Sequence, residues 1–184
     1  CLLSRGLGDV YKRQVIYNAI STTQFVPVSE VERSKLRAKL GLPLNATILI
    51  YVGSGFERKG LAAAIRAVAG TNRYLVVVGK DKAEKQYQSL ASELGCSERI
   101  IFAGMQQDTR PWYQAADGLL LPTLYDPFPN VILEAMACGL PVITSTTCGG
   151  SEFIEQGKNG YVCDALDISA LRDAVMSLLS LIHI

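Results

Sequence analysis

The sequence predicts an α/β fold in which a parallel sheet is covered by helices on both faces, and two features of the chain predict it. Short β-branched runs alternate with longer amphipathic stretches, the order that builds a parallel sheet through helical crossovers. The runs are nearly continuous in apolar residues rather than alternating, which suits strands buried on both sides. Four or five such strand-helix units follow one another, a Rossmann-like arrangement.

In chain order, Ser29 and Glu32 have capping-box spacing, in which a side-chain oxygen and a returning carboxylate satisfy free backbone N–H groups, so a helix is expected near 30–40. The first strand is Thr47 to Val52, and a helix near 60–69 follows a glycine-rich turn. Tyr74 to Val78 forms the second strand, and Asp81 with Glu84 repeats the capping-box spacing ahead of a helix at 82–94. Ile100 to Ala103 and Gly118 to Leu121 are strands flanking a short helix near 109–116. Pro129 suits the start of a helix near 130–138, since its missing N–H would be unpaired there. Pro141 to Thr144 and Tyr161 to Cys163 complete the strands, and Asp167 is the N-cap of a last helix at 168–179.

At 184 residues, with 49% apolar and 19% charged residues, the chain can bury a core without disulfides or a structural metal. No apolar run approaches the roughly 20 residues that span a bilayer. A net charge of +1 excludes a field strong enough to make nucleic acid or an anionic membrane the main partner. The five cysteines, Cys1, Cys96, Cys138, Cys148 and Cys163, are odd in number and form no C-x-x-C pair, so they read as small apolar residues in a reduced, cytoplasmic compartment. Residues 1–14 and 180–184 have no period of their own and look foreign, which leaves 15–179 as the expected domain, cut from a longer gene.

The segment G-S-G-F-E-R-K-G, Gly53 to Gly60, lies between a strand and a helix, where open α/β sheets bind ligands. Gly53 and Gly55 let the backbone approach a ligand, and Arg58 and Lys59 add adjacent cations, a combination suited to a diphosphate. A P-loop is excluded, because Lys59 is followed by Gly60 and no hydroxyl is left for magnesium. The dinucleotide fingerprint fails at its third glycine, where Arg58 stands. Taken alone, the segment also reads as an ordinary turn with a solvated Arg-Lys pair.

The second segment is Y-D-P-F-P-N-V-I-L-E-A-M-A-C-G-L-P-V-I, Tyr125 to Ile143. Asn130 and Glu134 share a helix face, and Asp126 sits in the loop before it, so two carboxylates converge on a helix N-terminus. Free N–H groups attract phosphate and carboxylates accept sugar hydroxyls, which a phosphorylated sugar would satisfy together. The alternative is an exposed Glu134 and a loop Asp126. Against it, Glu134 interrupts an apolar helix, where an unpaired carboxylate is costly.

Together with V-I-Y-N-A-I-S-T-T-Q-F at Val15 to Phe25, F-A-G at Phe102 to Gly104, C-G-G-S-E-F-I and N-G-Y-V, these motifs stand in the order found in glycosyltransferase family 4. Residues 15–179 resemble the C-terminal, donor-binding domain of that family's two-domain GT-B fold, and within it the enzymes that build the lipopolysaccharide core. The resemblance implies a nucleoside-diphosphate sugar donor, UDP-glucose or similar, and retaining transfer to an acceptor hydroxyl. It makes Arg58, Lys59 and Asp126 the catalytic candidates. Gly53, Gly55, Met105, Gln106, Asn130, Val131 and Glu134 become the substrate-binding ones. Arg58 and Lys59 would hold the diphosphate with the backbone at Asn130 and Val131, Glu134 the ribose, and Met105 and Gln106 would lie near the base. Asp126 occupies the position of the family's sugar-contacting glutamate, one methylene shorter, which shifts the expected contact and loosens the inference to glucose.

No resident cofactor and no metal are expected, since no cluster has magnesium-ligand spacing and the cations would stabilise the leaving diphosphate. Expected partners are the donor, a missing N-terminal acceptor domain and an acceptor glycan or lipid-linked glycan, the missing half providing any peripheral contact with the membrane's inner face. The rival readings are a nucleotide-sugar epimerase of similar fold, a donor-binding module without catalysis and, more distantly, an NAD-dependent oxidoreductase using Asp81 on the ribose. Among other residues, His183 lies in the foreign tail, Trp112 and Tyr113 read as core, Cys138 as buried filler, Gly149 and Gly150 as a turn, and Lys80 and Asp108 as solvated.

Overall fold

The computed structural model describes residues 18–178. The two foreign-looking ends, residues 15–17 of the Val15–Phe25 motif, Cys1 and His183 lie outside them. The described chain runs α1 (Glu30–Leu40), β1 (Ile48–Val52), α2 (Leu61–Ala69), β2 (Tyr74–Val78), α3 (Glu84–Glu93), β3 (Ile100–Gly104), α4 (Arg110–Ala115), β4 (Gly118–Leu121), α5 (Asn130–Ala137), β5 (Val142–Ser145), β6 (Gly160–Cys163) and α6 (Ile168–Ser177). Short 3-10 turns occupy Ser97–Arg99 and Gly149–Phe153.

The strands form one six-stranded sheet in the order β3-β2-β1-β4-β5-β6, and every pair is parallel. Ile48, Leu49, Ile50, Leu119 and Leu120 are fully buried in its centre. Each such side chain stabilises the fold by roughly 1.5–3 kcal/mol, so the middle strands rather than the loops set the frame. From β1 the chain winds outward through β2 and β3, then crosses back to β4 and winds the other way. The carboxyl ends of β1 and β4 therefore bound a crevice between loops that leave in opposite directions, the usual ligand position in such sheets.

Local chemistry accounts for the helix limits. Ser29 Oγ accepts the Glu32 N–H at 3.3 Å, and Gly41, at φ 69°, ends α1 with the Leu42 N–H returning to the Arg37 carbonyl at 2.8 Å. Asp167 caps α6 by accepting the Ala170 N–H at 2.9 Å. A device with no sign in the sequence ties α1 to the sheet: Arg33 and Arg37 each pair with Asp117 at 2.8 Å, and Asp117 also accepts the Ile48 N–H at 2.7 Å.

Several boundaries differ from expectation, β1 starting at Ile48 and β6 at Gly160 among them. β5 begins at Val142 because Pro141 has no N–H to give, its carbonyl instead accepting from Leu119 at 2.9 Å. β3 runs on to Gly104, past a bulge between Val77 and Val78. The capping box at Asp81 does not form. Helix α3 starts at Glu84 with no side-chain cap, and the Asp81 carboxylate accepts the Ala83 N–H at 2.9 Å and the Phe56 N–H at 3.0 Å. The unpaired N–H groups of the turn after β1 draw that carboxylate away from the helix.

Candidate functional site

The turn after β1 is shaped by three glycines. Gly53 has φ 148°, and a Cβ there would meet the Lys59 side chain, Cδ at 2.5 Å and Nζ at 2.9 Å. Lys59 thus lies folded back across Gly53. Gly55 has φ 70° with open space where a side chain would be, which leaves its backbone accessible. Gly60, at φ 72°, starts α2, and a Cβ on it would overlap the Pro122 carbonyl oxygen. The turn after β1 and the loop after β4 therefore touch.

That contact is stitched by hydrogen bonds. The Arg58 carbonyl accepts the Leu124 N–H at 2.8 Å and the Thr123 hydroxyl at 3.0 Å, while Arg58 Nη1 donates to the Tyr125 carbonyl at 2.8 Å. Ser145 and Thr147 hydroxyls both reach the Thr123 carbonyl, at 2.5 and 2.8 Å. Asp126 comes next, with its carbonyl accepting the Gly149 N–H at 2.9 Å. Its carboxylate Oδ2 receives both Arg58 Nη1, at 3.3 Å, and Lys59 Nζ, at 3.5 Å. The three catalytic candidates thus form one ion cluster, with Lys59 and Asp126 buried and Arg58 half-exposed.

Helix α5 begins four residues later, at Asn130. Asn130 and Val131 are its first two residues, Pro129 stands just outside, and no side chain caps the end. Its N-terminus therefore offers backbone N–H groups and the positive dipole end to an anion. One turn on, Glu134 accepts the Tyr113 hydroxyl at 2.8 Å. Tyr113 is fully buried, packs edge-on against Phe25 with ring centroids 6.0 Å apart, and has its phenol pushed far up by burial and by Glu134. The expectation that Tyr113 belongs to the core holds, and the structure adds that it aims Glu134.

The remaining candidates sit at the same end of the sheet. Met105 follows β3 and is 79% exposed, and the Gln106 side-chain amide donates to the Ala103 carbonyl at 2.6 Å. Among the described residues no hydrogen bond or ion pair joins these two to the Arg58 cluster, or that cluster to Glu134. A cavity of about 630 Å³ is lined by Gly55, Arg58, Asp81, Gln86 and Tyr87, between α2 and α3, and includes neither Asp126 nor Glu134. Asp81, the acid an NAD site would use, is committed to Phe56 and Ala83. Cys138 is buried, and its thiol is pushed up to about 11 by burial and then by Glu134, so it is no nucleophile. Gly149 and Gly150 are the turn expected, the first against the Pro127 carbonyl and the second against Ile132. Among the described residues no group of acidic, cysteine and histidine side chains could hold a metal, and no helix is long and apolar enough to cross a membrane.

The hydroxyls of Thr123, Ser145 and Thr147, and the positioning phenol of Tyr113, are the site features that the sequence does not announce. A run of Ser and Thr after a strand carries no more than a turn signal.

Comparison with known proteins agrees with this fold. The chain is 35% identical to the lipopolysaccharide core biosynthesis glycosyltransferase LpsE of Rhizobium meliloti over 170 residues, which is 92% of this chain and 48% of LpsE. It is 36% identical to the lipopolysaccharide glucosyltransferase WaaG of Escherichia coli over 136 residues, 71% of this chain and 36% of WaaG. Among solved structures, HepE of Anabaena in complex with UDP and glucose superposes with a TM-score of 0.83 at 26% identity, over 90% of this chain and 47% of that one. The chain spans half or less of the length of these relatives. Residues 32–181 match the family of group 1 glycosyl transferases, and with the sheet order, the β1 turn and the α5 motif all in place, the chain belongs to that family.

Proposed function

We propose that this chain binds a nucleoside-diphosphate sugar, UDP-glucose or a close analogue, in the crevice at the carboxyl ends of β1 and β4, and is the donor half of a retaining transferase of lipopolysaccharide or other envelope glycan. The observation that carries the reading is the meeting of Arg58 and Lys59 with the loop that leads into the uncapped N-terminus of α5. Two cations and free N–H groups suit a diphosphate, which gains charge as the glycosidic bond breaks. Glu134, aimed by Tyr113, accepts the ribose hydroxyls, and Asp126 faces the sugar. Met105 and Gln106 flank the base. The acceptor's proton passes to the leaving phosphate, so no side-chain base is required. HepE, which shares the fold, has been seen with UDP and glucose.

Binding needs no divalent metal in this reading, because the anion site is made of side-chain cations and backbone. Acceptor glycan and acceptor domain belong to the part of the relatives that this chain does not span, as does any contact with the cytoplasmic membrane face. The test is calorimetry of the folded chain with UDP, UDP-glucose and other nucleotide sugars in the presence of chelator. UDP-sugar binding that survives the chelator is expected. A folded chain that takes none of them, or that takes NAD instead, would falsify the reading.

A further inference from the structure

Two cations and one carboxylate oxygen meet where the diphosphate is expected, and the three differ in how freely they can move. The Asp126 backbone is pinned: its carbonyl accepts the Gly149 N–H at 2.9 Å, and it pairs with Cys148 in an isolated bridge. The loop that precedes it is locked to the β1 turn through Leu124, Thr123 and the Gly60–Pro122 contact. A short side chain on a fixed backbone cannot leave. Arg58 and Lys59 have long side chains, and the Arg58 head is half-exposed, so an arriving anion moves the cations and leaves the carboxylate behind.

We propose that Asp126 is a built-in counterion that competes with the ligand's phosphates for Arg58 and Lys59, and thereby makes the site favour the complete nucleotide sugar over the spent nucleoside diphosphate. The inference rests on the reading that these two cations hold the donor diphosphate. The Asp126 and Lys59 side chains are each 11% exposed, so repulsion between the abandoned carboxylate and a phosphate is poorly screened. That repulsion is larger for the spent nucleotide, whose terminal phosphate carries an extra ionisable oxygen with a pKa of about 6. In the complete donor that oxygen is esterified, and the sugar's hydroxyls can donate to the carboxylate that the cations have left. Both effects act in one direction, holding the donor and releasing the product.

The experiment is calorimetry of UDP, UDP-glucose and uridine with the wild-type chain, Asp126→Asn and Asp126→Glu. Removing one unit charge beside the anion site should tighten UDP binding roughly tenfold in Asp126→Asn, with UDP-glucose no tighter than in wild type, so that the preference for the donor falls. Uridine, with no phosphate, should bind wild type and Asp126→Asn alike, and Asp126→Glu, which keeps the charge, should not share the tightening of UDP. UDP binding to Asp126→Asn that equals or falls below wild type overturns the proposal. A folded wild type that binds neither UDP nor UDP-glucose overturns the donor reading itself, and this inference with it. Should Asp126→Asn not fold, the wild-type crystal structure with UDP decides: Arg58 and Lys59 on phosphate and off Asp126 supports the exchange, and an intact cluster with phosphate elsewhere sinks it.

Discussion

At the scale of single residues, the Tyr113–Glu134 hydrogen bond shows what a sequence can and cannot reveal. Glu134 is legible because a carboxylate within V-I-L-E-A-M-A needs a partner. Its partner is not, since Tyr113 comes from α4, 21 residues away, and looks like any core aromatic. Only the sheet order brings the two helices together. Tyr113→Phe keeps the ring and its packing on Phe25 while removing the one hydroxyl that orients the carboxylate. A hydrogen bond to a charged group contributes roughly 1.5–3 kcal/mol, part of which water will replace at the half-buried Glu134, so a loss of about 1 kcal/mol in UDP affinity is expected. Glu134→Ala should lose more, and both should weaken uridine along with UDP, since the ribose is common to them. Isothermal titration of the three proteins measures this. Unchanged affinity in Tyr113→Phe would mean that the phenol is packing alone.

At the scale of elements, strand and helix existence was almost wholly legible and the turn chemistry was not. The apolar runs at Ile48–Val52, Tyr74–Val78 and Gly118–Leu121 declare themselves because burial on both faces leaves no polar alternation to misread. Asp81 misleads because its spacing to Glu84 fits a capping box equally well, and nothing local tells a carboxylate that a turn 25 residues earlier has an unpaired N–H. Its actual bonds make Asp81 a brace between the end of β2 and the turn after β1. Asp81→Ala leaves the Phe56 and Ala83 N–H groups without that acceptor, and a loss of about 1 kcal/mol in unfolding free energy is expected, modest because water can reach the site. The pH dependence has a definite sign. The Ala83 and then the Phe56 N–H hold the Asp81 carboxyl below its ordinary value. The stabilisation is therefore complete above the unfolded pKa of about 3.9 and is lost as pH falls through the lower folded value. Urea denaturation of both proteins between pH 7 and pH 2 should show the two curves converging at the acid end. A constant gap across that range would remove the carboxylate from the account.

At the scale of the whole molecule, the site is one-sided. In the proposed reading Arg58, Lys59, Asp126, Glu134 and the end of α5 all serve the donor, and that reading assigns none of the described residues to an acceptor hydroxyl. Binding one substrate does not position the other. Transfer between two bound substrates owes much of its rate to proximity and orientation, which can account for roughly 7–11 kcal/mol of the barrier. It also needs a closed cleft, because an activated sugar that faces bulk water meets water as its nearest hydroxyl. The relatives are about twice as long as this chain, room enough for a second domain to supply both. The expectation is that the chain alone binds donor and hydrolyses it slowly, with no dependence on added acceptor, whereas fusion to the N-terminal half of a full-length relative such as LpsE gives acceptor-dependent transfer. Radiolabelled UDP-glucose, lipid-linked and soluble glycan acceptors, and the two proteins side by side make the comparison. Turnover by the isolated chain that rises with acceptor and approaches the rate of the fusion would place an acceptor site within residues 18–178 and defeat the argument.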